Sequence, residues 1–199
     1  KNENIWIAQR EGRAKDSDDR TQESVLKMLN KGGPTAGRTT ADIIENLRHM
    51  RIVPLAISYE YDPCDYLKAK EFQCKRDIPG WKKAKQDDLD NMKTGIWGKK
   101  GHVHYQAAGC INDWLDTLDP TAIEKADIFR IVAEHIDHEI HKNYRIYDIN
   151  RDALAGTTNA YIEERVKMVD VEHPDVPFLR EKITAMYANP LRNYEKAVD

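Results

Sequence analysis

The 199-residue sequence has few cysteines and no long apolar run. Its three cysteines, Cys64, Cys74 and Cys110, are an odd number without C-x-x-C spacing, which argues against a disulfide framework or a zinc site. No apolar run approaches the roughly 18 residues that a transmembrane helix requires, and no signal peptide is visible. The cysteine usage favours a reducing cytoplasm.

Motifs for common cofactors and for nucleic acids are also absent. The sequence has no Walker loop, no Rossmann glycine pattern and no nucleic-acid-binding module. Charged residues make up 33% and hydrophobic residues 40% of it, a balance that is typical of a globular chain with a heavily charged surface. Its length fits one domain, or one domain with an extension.

Charge is distributed unevenly along the chain, although the net charge is only −3. Residues 65–100 contain ten lysines and arginines against six acidic residues, whereas residues 101–150 contain four against nine. A basic segment can attract phosphates, anionic lipid headgroups or acidic carrier proteins. The alternative interpretation is a solvated helix face.

The apolar pattern predicts an α/β protein. Short apolar or alternating runs predict strands over 4–9, 51–61 and 101–109. Helical spacing predicts helices over 21–29, 40–50, 66–75, 82–93, 121–147, 159–169 and 177–187. Pro54 cannot donate a ladder hydrogen bond, so the second strand lies at a sheet edge or is bulged there. We expect a mixed sheet covered by helices over residues 1–118 and a helical extension packed on it over residues 119–199.

A dense charged stretch follows the first predicted strand. Gly12 permits a tight turn, and Arg13 offers a planar fork that matches phosphate oxygens. Lys15 can add a point charge, while Glu11 can hold a cation or accept a hydrogen bond from a hydroxyl. The N-terminus of the following helix would support an anion. Taken alone, the stretch favours a solvated loop with surface ion pairs.

Together with a later segment, this stretch resembles the glycerolipid acyltransferases, and most closely their bacterial glycerol-3-phosphate branch. In that family a hydrophobic strand ends in a Glu-Gly-(Gly/Thr)-Arg-Ser block, and a later strand carries an Ile-Val/Ile-Pro-Ile/Val block. Glu11, Gly12 and Arg13 match the first block, and residues 52–54 match the second. The run "GHVHYQAAGCI" resembles a further family strand, with Cys110 in place of a proline. The resemblance covers residues 4–150.

The resemblance implies transfer of a fatty acyl group from acyl-CoA or acyl carrier protein to the hydroxyl of glycerol-3-phosphate or lysophosphatidate. Glu11, Gly12, Arg13 and Lys15 would then bind the acceptor phosphate, and Pro54 would shape the strand that lines the pocket. No metal and no resident cofactor are implied. The first block is one residue short, which leaves Arg13, Lys15 and Arg20 as alternatives for the family arginine.

The catalytic signature of the family, His-x-x-x-x-Asp, is missing from this sequence. None of the seven histidines is followed by an aspartate at the fifth position. In the family that histidine is the general base, and the aspartate orients it. We therefore expect a C-terminal part of such an enzyme, inactive alone and without a catalytic residue. We expect it in the cytoplasm, with peripheral contact on the inner face of the cell membrane.

Two other functions compete with this hypothesis. Residues 82–100 would allow a non-catalytic module to dock an acidic carrier protein or an anionic membrane. His135, His138 and His141 would allow a metal-dependent hydrolase, but their spacing spreads them over about 120° of a helix. One metal ion would hardly meet all three, so polar residues beside an apolar stripe are the favoured interpretation.

Overall fold

A computed structural model describes residues 3–9 and 15–199. About 53% of the described residues are helical, and a small antiparallel sheet of two strands completes a mixed fold. In chain order the elements are α1 (Glu23–Asn30), α2 (Thr40–Met50), β1 (Leu55–Tyr59), α3 (Asp65–Asp77), α4 (Lys85–Trp97), β2 (Val103–Ala107), α5 (Asn112–Leu115), α6 (Ile128–His141), α7 (Asp148–Ala155), α8 (Ala160–Lys167) and α9 (Val176–Val198).

The chain divides into two compact units, and the division crosses both strands. The first unit comprises Lys1–Arg13, Asp19–Ala56 and Gln106–Asn143. The second comprises Ala14–Asp18, Ile57–Tyr105 and Tyr144–Asp199. The chain leaves the first unit within β1 and returns to it within β2.

The sheet is smaller than the mixed sheet that the sequence predicts. β1 pairs with β2 in the described part of the chain. Pro54 directly precedes β1, where its missing N–H costs no ladder bond, and its carbonyl accepts from the Ala108 N–H at 2.9 Å. The other end of the pair is closed by the Glu60 N–H, which donates to the His102 carbonyl at 2.9 Å.

The strand predicted over residues 4–9 is wrong. These residues have no strand conformation, and Ile5 and Trp6 are 80% and 79% exposed. A strand needs a neighbour to satisfy its backbone groups, and in the described residues β1 and β2 pair with each other. An apolar run therefore does not by itself create a buried strand.

Helices α1, α2, α5 and α6 build the core of the first unit. α2 begins with a capping box, in which the Thr39 hydroxyl accepts from the Asp42 N–H and the Asp42 carboxylate accepts from the Thr39 N–H. α1 packs on α2 and α6, and α2 also contacts α5. The largest fully buried apolar side chains of this unit are Leu26, Ile43, Leu47, Ile111, Leu115, Ile128 and Val132.

α9 organises the second unit by packing on α7, α3 and α8. Pro177 stands in its first turn, where the missing N–H is tolerated, and Asp175 caps it by accepting from the Phe178 N–H at 3.1 Å. The core of this unit contains Ala69, Ile149, Ala153, Ile162, Val166, Val169, Leu179, Ile183, Met186, Tyr187 and Ala188. The C-terminal region is therefore helical, as the sequence predicts.

The long helix predicted over residues 121–147 is also wrong at both ends. Only Ile128–His141 is helical. Upstream, the Asp119 carboxylate accepts from the N–H and hydroxyl of Thr121 at 2.8 and 2.7 Å and fixes a turn. Downstream, the Asn143 amide donates to the Glu139 carbonyl at 2.7 Å and ends the helix. Among the described residues, no helix combines the length and apolarity that crossing a bilayer needs.

Candidate anion-binding site

Two of the five predicted site residues belong to the described part of the chain. Glu11, Gly12 and Arg13 lie outside the described residues. Pro54 belongs to the first unit and is buried. Lys15 belongs to the second unit, where it is half-buried.

Lys15 is one member of a group of lysines around a buried carboxylate. Its ammonium donates a hydrogen bond to the Glu71 carboxylate. Lys83 binds the other oxygen of that carboxylate at 2.9 Å and also contacts the Asp88 carboxylate at 2.9 Å. Lys75 lies close enough to Lys15 for the two ammonium groups to interact. We call Lys15, Lys75, Lys83 and Glu71 the lysine cluster.

Helix α3 supplies the centre of the lysine cluster. Glu71 and Lys75 stand one turn apart on α3, a spacing that places them on one face. Lys83 comes from the loop that precedes α4. From α4 itself, the buried Asn91 donates through its side-chain amide to the Asp87 carbonyl at 3.1 Å and accepts from the Lys83 ammonium with its side-chain oxygen. The Glu71 carboxylate is therefore held by two ammonium donors, as a buried charge requires.

The segment that carries Lys15 is held in place by α9. The Asn189 amide donates to the Asp16 carbonyl at 2.8 Å, and the Asn193 amide donates to the Asp18 carboxylate at 2.9 Å. Ser17 between them has a φ of 59°, in the left-handed region that few non-glycine residues adopt. These bonds define the position from which Lys15 reaches Glu71.

The ionisation of the lysine cluster reflects mutual stabilisation and repulsion. Burial opposes ionisation of the Glu71 carboxyl, but hydrogen bonds from Lys15 and Lys83 outweigh it, and the pKa of Glu71 falls below its ordinary value. The Lys15 ammonium lowers the pKa of Lys75. Burial would lower the pKa of Lys83, yet Asp88 and Glu71 raise it above its ordinary value.

The lysine cluster has chemistry suited to an anion. Its three ammonium groups face two carboxylates when Asp88 is included, which leaves one positive charge in excess. A phosphate would accept hydrogen bonds from the ammonium groups and relieve the repulsion between Lys15 and Lys75. Sequence reasoning found Lys15 and the basic character of residues 65–100, but it missed Glu71, because a lone glutamate in a basic segment gives no signal.

A second buried charge in the same unit is fully bonded. The Asp65 carboxylate accepts from Arg165 Nε at 2.6 Å and from the Tyr187 hydroxyl at 2.7 Å. Arg165 also donates to the Pro63 carbonyl at 2.8 Å, and its guanidinium lies 4.5 Å from the centre of the Tyr66 ring. Burial raises the pKa of Asp65, although Arg165 and Tyr187 oppose this shift. These contacts join α3, α8 and α9, so the network holds the helices of the unit together.

α6 carries the three histidines considered for a metal site, and His135 makes a structural contact there. The His135 ring stacks on the Trp114 ring with their centres 3.7 Å apart and their planes 6° from parallel. Burial lowers the pKa of His135. Within the described ranges, no group of three or more His, Cys, Asp and Glu side chains is arranged to hold a metal ion.

Cys64 is buried, and its thiol lies 3.4 Å from the Asn91 carbonyl.

Comparison of the chain with protein-family models, with curated proteins and with solved structures gives no match in any of the three.

Proposed function

We propose that the chain forms the acceptor-binding part of a glycerolipid acyltransferase. In this function the hydroxyl oxygen of a glycerol phosphate attacks the carbonyl of an acyl thioester, the C–S bond breaks, and the thiol of coenzyme A or acyl carrier protein leaves with the proton. Glu11, Gly12, Arg13 and Lys15 bind the acceptor phosphate, and Pro54 shapes the pocket strand. The enzyme would work at the inner face of the membrane, where its product belongs.

The position of Lys15 is the observation that carries this proposal. Lys15 is the trailing basic residue of the charged stretch that resembles the family's first block. It shares the lysine cluster with Lys75 and Lys83, both of which lie far from it in the sequence. Two further ammonium groups gathered beside one predicted phosphate-binding residue support phosphate as the ligand.

In this proposal the chain binds the acceptor phosphate but does not supply the general base of the reaction. None of its histidines stands in a His-x-x-x-x-Asp pattern. The acceptor hydroxyl therefore needs a general base from outside these 199 residues. We accordingly expect the purified chain to bind glycerol phosphates without transferring an acyl group.

The proposal is tested by NMR titration of the chain with glycerol-3-phosphate, inorganic phosphate and glycerol. We expect both phosphates to shift the amide signals of residues 15–18, 71–75 and 83, with glycerol-3-phosphate binding more tightly than inorganic phosphate, and glycerol to shift none of them. Lys15→Gln and Lys83→Gln should each weaken binding several-fold, because each removes one charge-assisted hydrogen bond.

The control is Lys196→Gln, which removes an exposed lysine from the last turn of α9. This variant should bind like the unaltered chain. If Lys196→Gln and Lys15→Gln weakened phosphate binding equally, the effect would come from the overall charge of the chain. The lysine cluster would then not be the binding site. If glycerol-3-phosphate and inorganic phosphate bound with equal affinity, the lysine cluster would be an anion-binding site that does not recognise the glycerol acceptor.

A further inference from the structure

Helix α4 exposes an apolar face to solvent. Leu89, Met92, Ile96 and Trp97 are 52%, 51%, 65% and 77% exposed, and Asn91 is the buried residue of the helix. Large apolar side chains scattered singly over a surface need no explanation, whereas a contiguous set on one helix marks an interaction site.

The helical period places these side chains together. At about 100° per residue, Leu89, Met92 and Ile96 fall within about 60° of one another, and Trp97 lies about 80° from Leu89. Lys85 and Lys93 fall about 40° to either side of Leu89, within the same face. We call Lys85, Leu89, Met92, Lys93, Ile96 and Trp97 the α4 face.

The charges around the α4 face are predominantly positive. Residues 82–100 contain six lysines and three aspartates. The aspartates have partners: Asp87 accepts from the Ala84 N–H at 2.9 Å and Asp88 pairs with Lys83. Asp90 accepts from the Gln86 amide at 3.0 Å and lies 4.0 Å from the Lys93 ammonium. The exposed lysines of this segment are Lys82, Lys85, Lys93 and Lys99.

We propose that the α4 face docks on an anionic lipid surface, with α4 lying in the plane of the interface. Leu89, Met92 and Ile96 enter the boundary between headgroups and acyl chains, and Trp97 sits at headgroup level with its indole N–H in the polar layer. Lys85 and Lys93 bury their aliphatic stems beside the apolar side chains and extend their ammonium groups to lipid phosphates.

The arrangement of the lysines favours lipid over a protein partner. The cores of protein interfaces are depleted in lysine, which concentrates at the rim. Here Lys85 and Lys93 lie among the apolar side chains, where a docked protein would cover and desolvate them but a headgroup layer solvates them. A second copy of the chain is disfavoured as well, because a two-fold contact through this face would bring lysine against lysine.

Vesicle flotation of the whole chain tests the proposal. The probes are phosphatidylcholine vesicles with and without phosphatidylserine, each at low and high salt. We expect binding that requires phosphatidylserine and weakens with salt. Lys85→Gln and Lys93→Gln should each lower the partition coefficient about fivefold, which corresponds to about 1 kcal/mol per lysine near the surface. Met92→Gln and Ile96→Gln should lower it at both salt concentrations.

Met28→Gln is the matched control, because Met28 on α1 is 54% exposed, close to the value for Met92. It should bind vesicles like the unaltered chain. Brominated lipids should quench tryptophan fluorescence, and Trp97→Phe should remove most of that quenching. Each of these residues is exposed, so circular dichroism should show an unchanged fold.

Three results would overturn the proposal. The first is equal binding to vesicles with and without phosphatidylserine, and the second is vesicle binding that the α4 substitutions leave unchanged. The third is a chain that ignores vesicles but dimerises, or binds polyglutamate, through the α4 face. The proposal is independent of the acyltransferase function, since Lys85→Gln and Lys93→Gln should leave phosphate binding at the lysine cluster intact.

Discussion

Replacing Arg165 by methionine should strongly destabilise the second unit. Arg165 binds the Asp65 carboxylate at 2.6 Å, and the two side chains are only 12% and 0% exposed. The same guanidinium donates to the Pro63 carbonyl at 2.8 Å. Methionine fills a similar volume but cannot donate a hydrogen bond. Of the two side chains that donate to the Asp65 carboxylate in this network, Tyr187 would remain.

The expected loss follows from the difference between buried and exposed ion pairs. Removing one partner of a buried pair leaves an uncompensated charge and costs about 3–5 kcal/mol. Arg130→Met is the matched control: Arg130 binds Glu134 at 2.9 Å, but these side chains are 51% and 63% exposed. An exposed pair of this kind contributes less than about 1 kcal/mol. The two substitutions remove the same chemistry from different environments.

The pH dependence gives this prediction a second readout. Burial already raises the pKa of Asp65, and loss of Arg165 should raise it further. An acid whose pKa is higher in the folded state binds its proton more tightly there, so stability recovers as pH falls through that value. Arg165→Met should therefore lose most stability near neutral pH and less in acid.

Urea unfolding followed by circular dichroism measures both effects. The free energy of unfolding is compared for each variant at neutral and at acidic pH, with the m-value as a check on the transition. The double variant Asp65→Asn, Arg165→Met should recover part of the loss, because no charge is left buried. A loss below about 1 kcal/mol for Arg165→Met, equal to that of Arg130→Met, would refute the reasoning.

Two further predictions concern a close backbone approach and the lysine cluster. Gly33→Ala should lower the melting temperature because its new Cβ would lie 2.2 Å from Cγ of the buried Asn46, whereas Gly109→Ala, with open space around it, should change it little; equal melting temperatures would contradict this. Glu71→Gln should make the free energy of unfolding fall less steeply as the pH is lowered into the acid range. The lowered pKa of Glu71 means that its contribution is present above the ordinary value of about 4.3 and is lost as pH falls through the lower folded value. An equally steep fall would show that Glu71 does not couple to folding.

The helices with strong local signals were predictable. α2 occupies the predicted range 40–50 because three kinds of local information agree there. The apolar spacing buries Ile43 and Leu47, the Thr39–Asp42 capping box fixes the start, and Arg51 in the left-handed conformation ends the helix. Where local propensity, pattern and caps coincide, a single sequence specifies the element.

The strands show that a local sequence pattern can identify a strand without determining whether its side chains are buried. The alternation over residues 101–109 correctly predicts β2, in which Val103 and Tyr105 share a face. These two side chains are nevertheless 41% and 59% exposed. Alternation identifies the apolar side of a strand, but burial depends on what packs against that side, which is decided by distant segments.

The lysine cluster could be predicted only in part, for the same reason. Lys15 and Glu71 are 56 residues apart in sequence, and their contact depends on how α3 and α9 pack. A carboxylate surrounded by lysines also has two opposing effects on an anion. Glu71 holds Lys15 and Lys83 in position, yet its charge repels phosphate and cancels part of the positive field. Glu71→Gln keeps an oxygen that can accept from an ammonium group while removing that charge. We therefore expect this variant to be less stable and to bind phosphate more tightly, whereas weaker binding would mean that Glu71 acts chiefly by positioning the lysines.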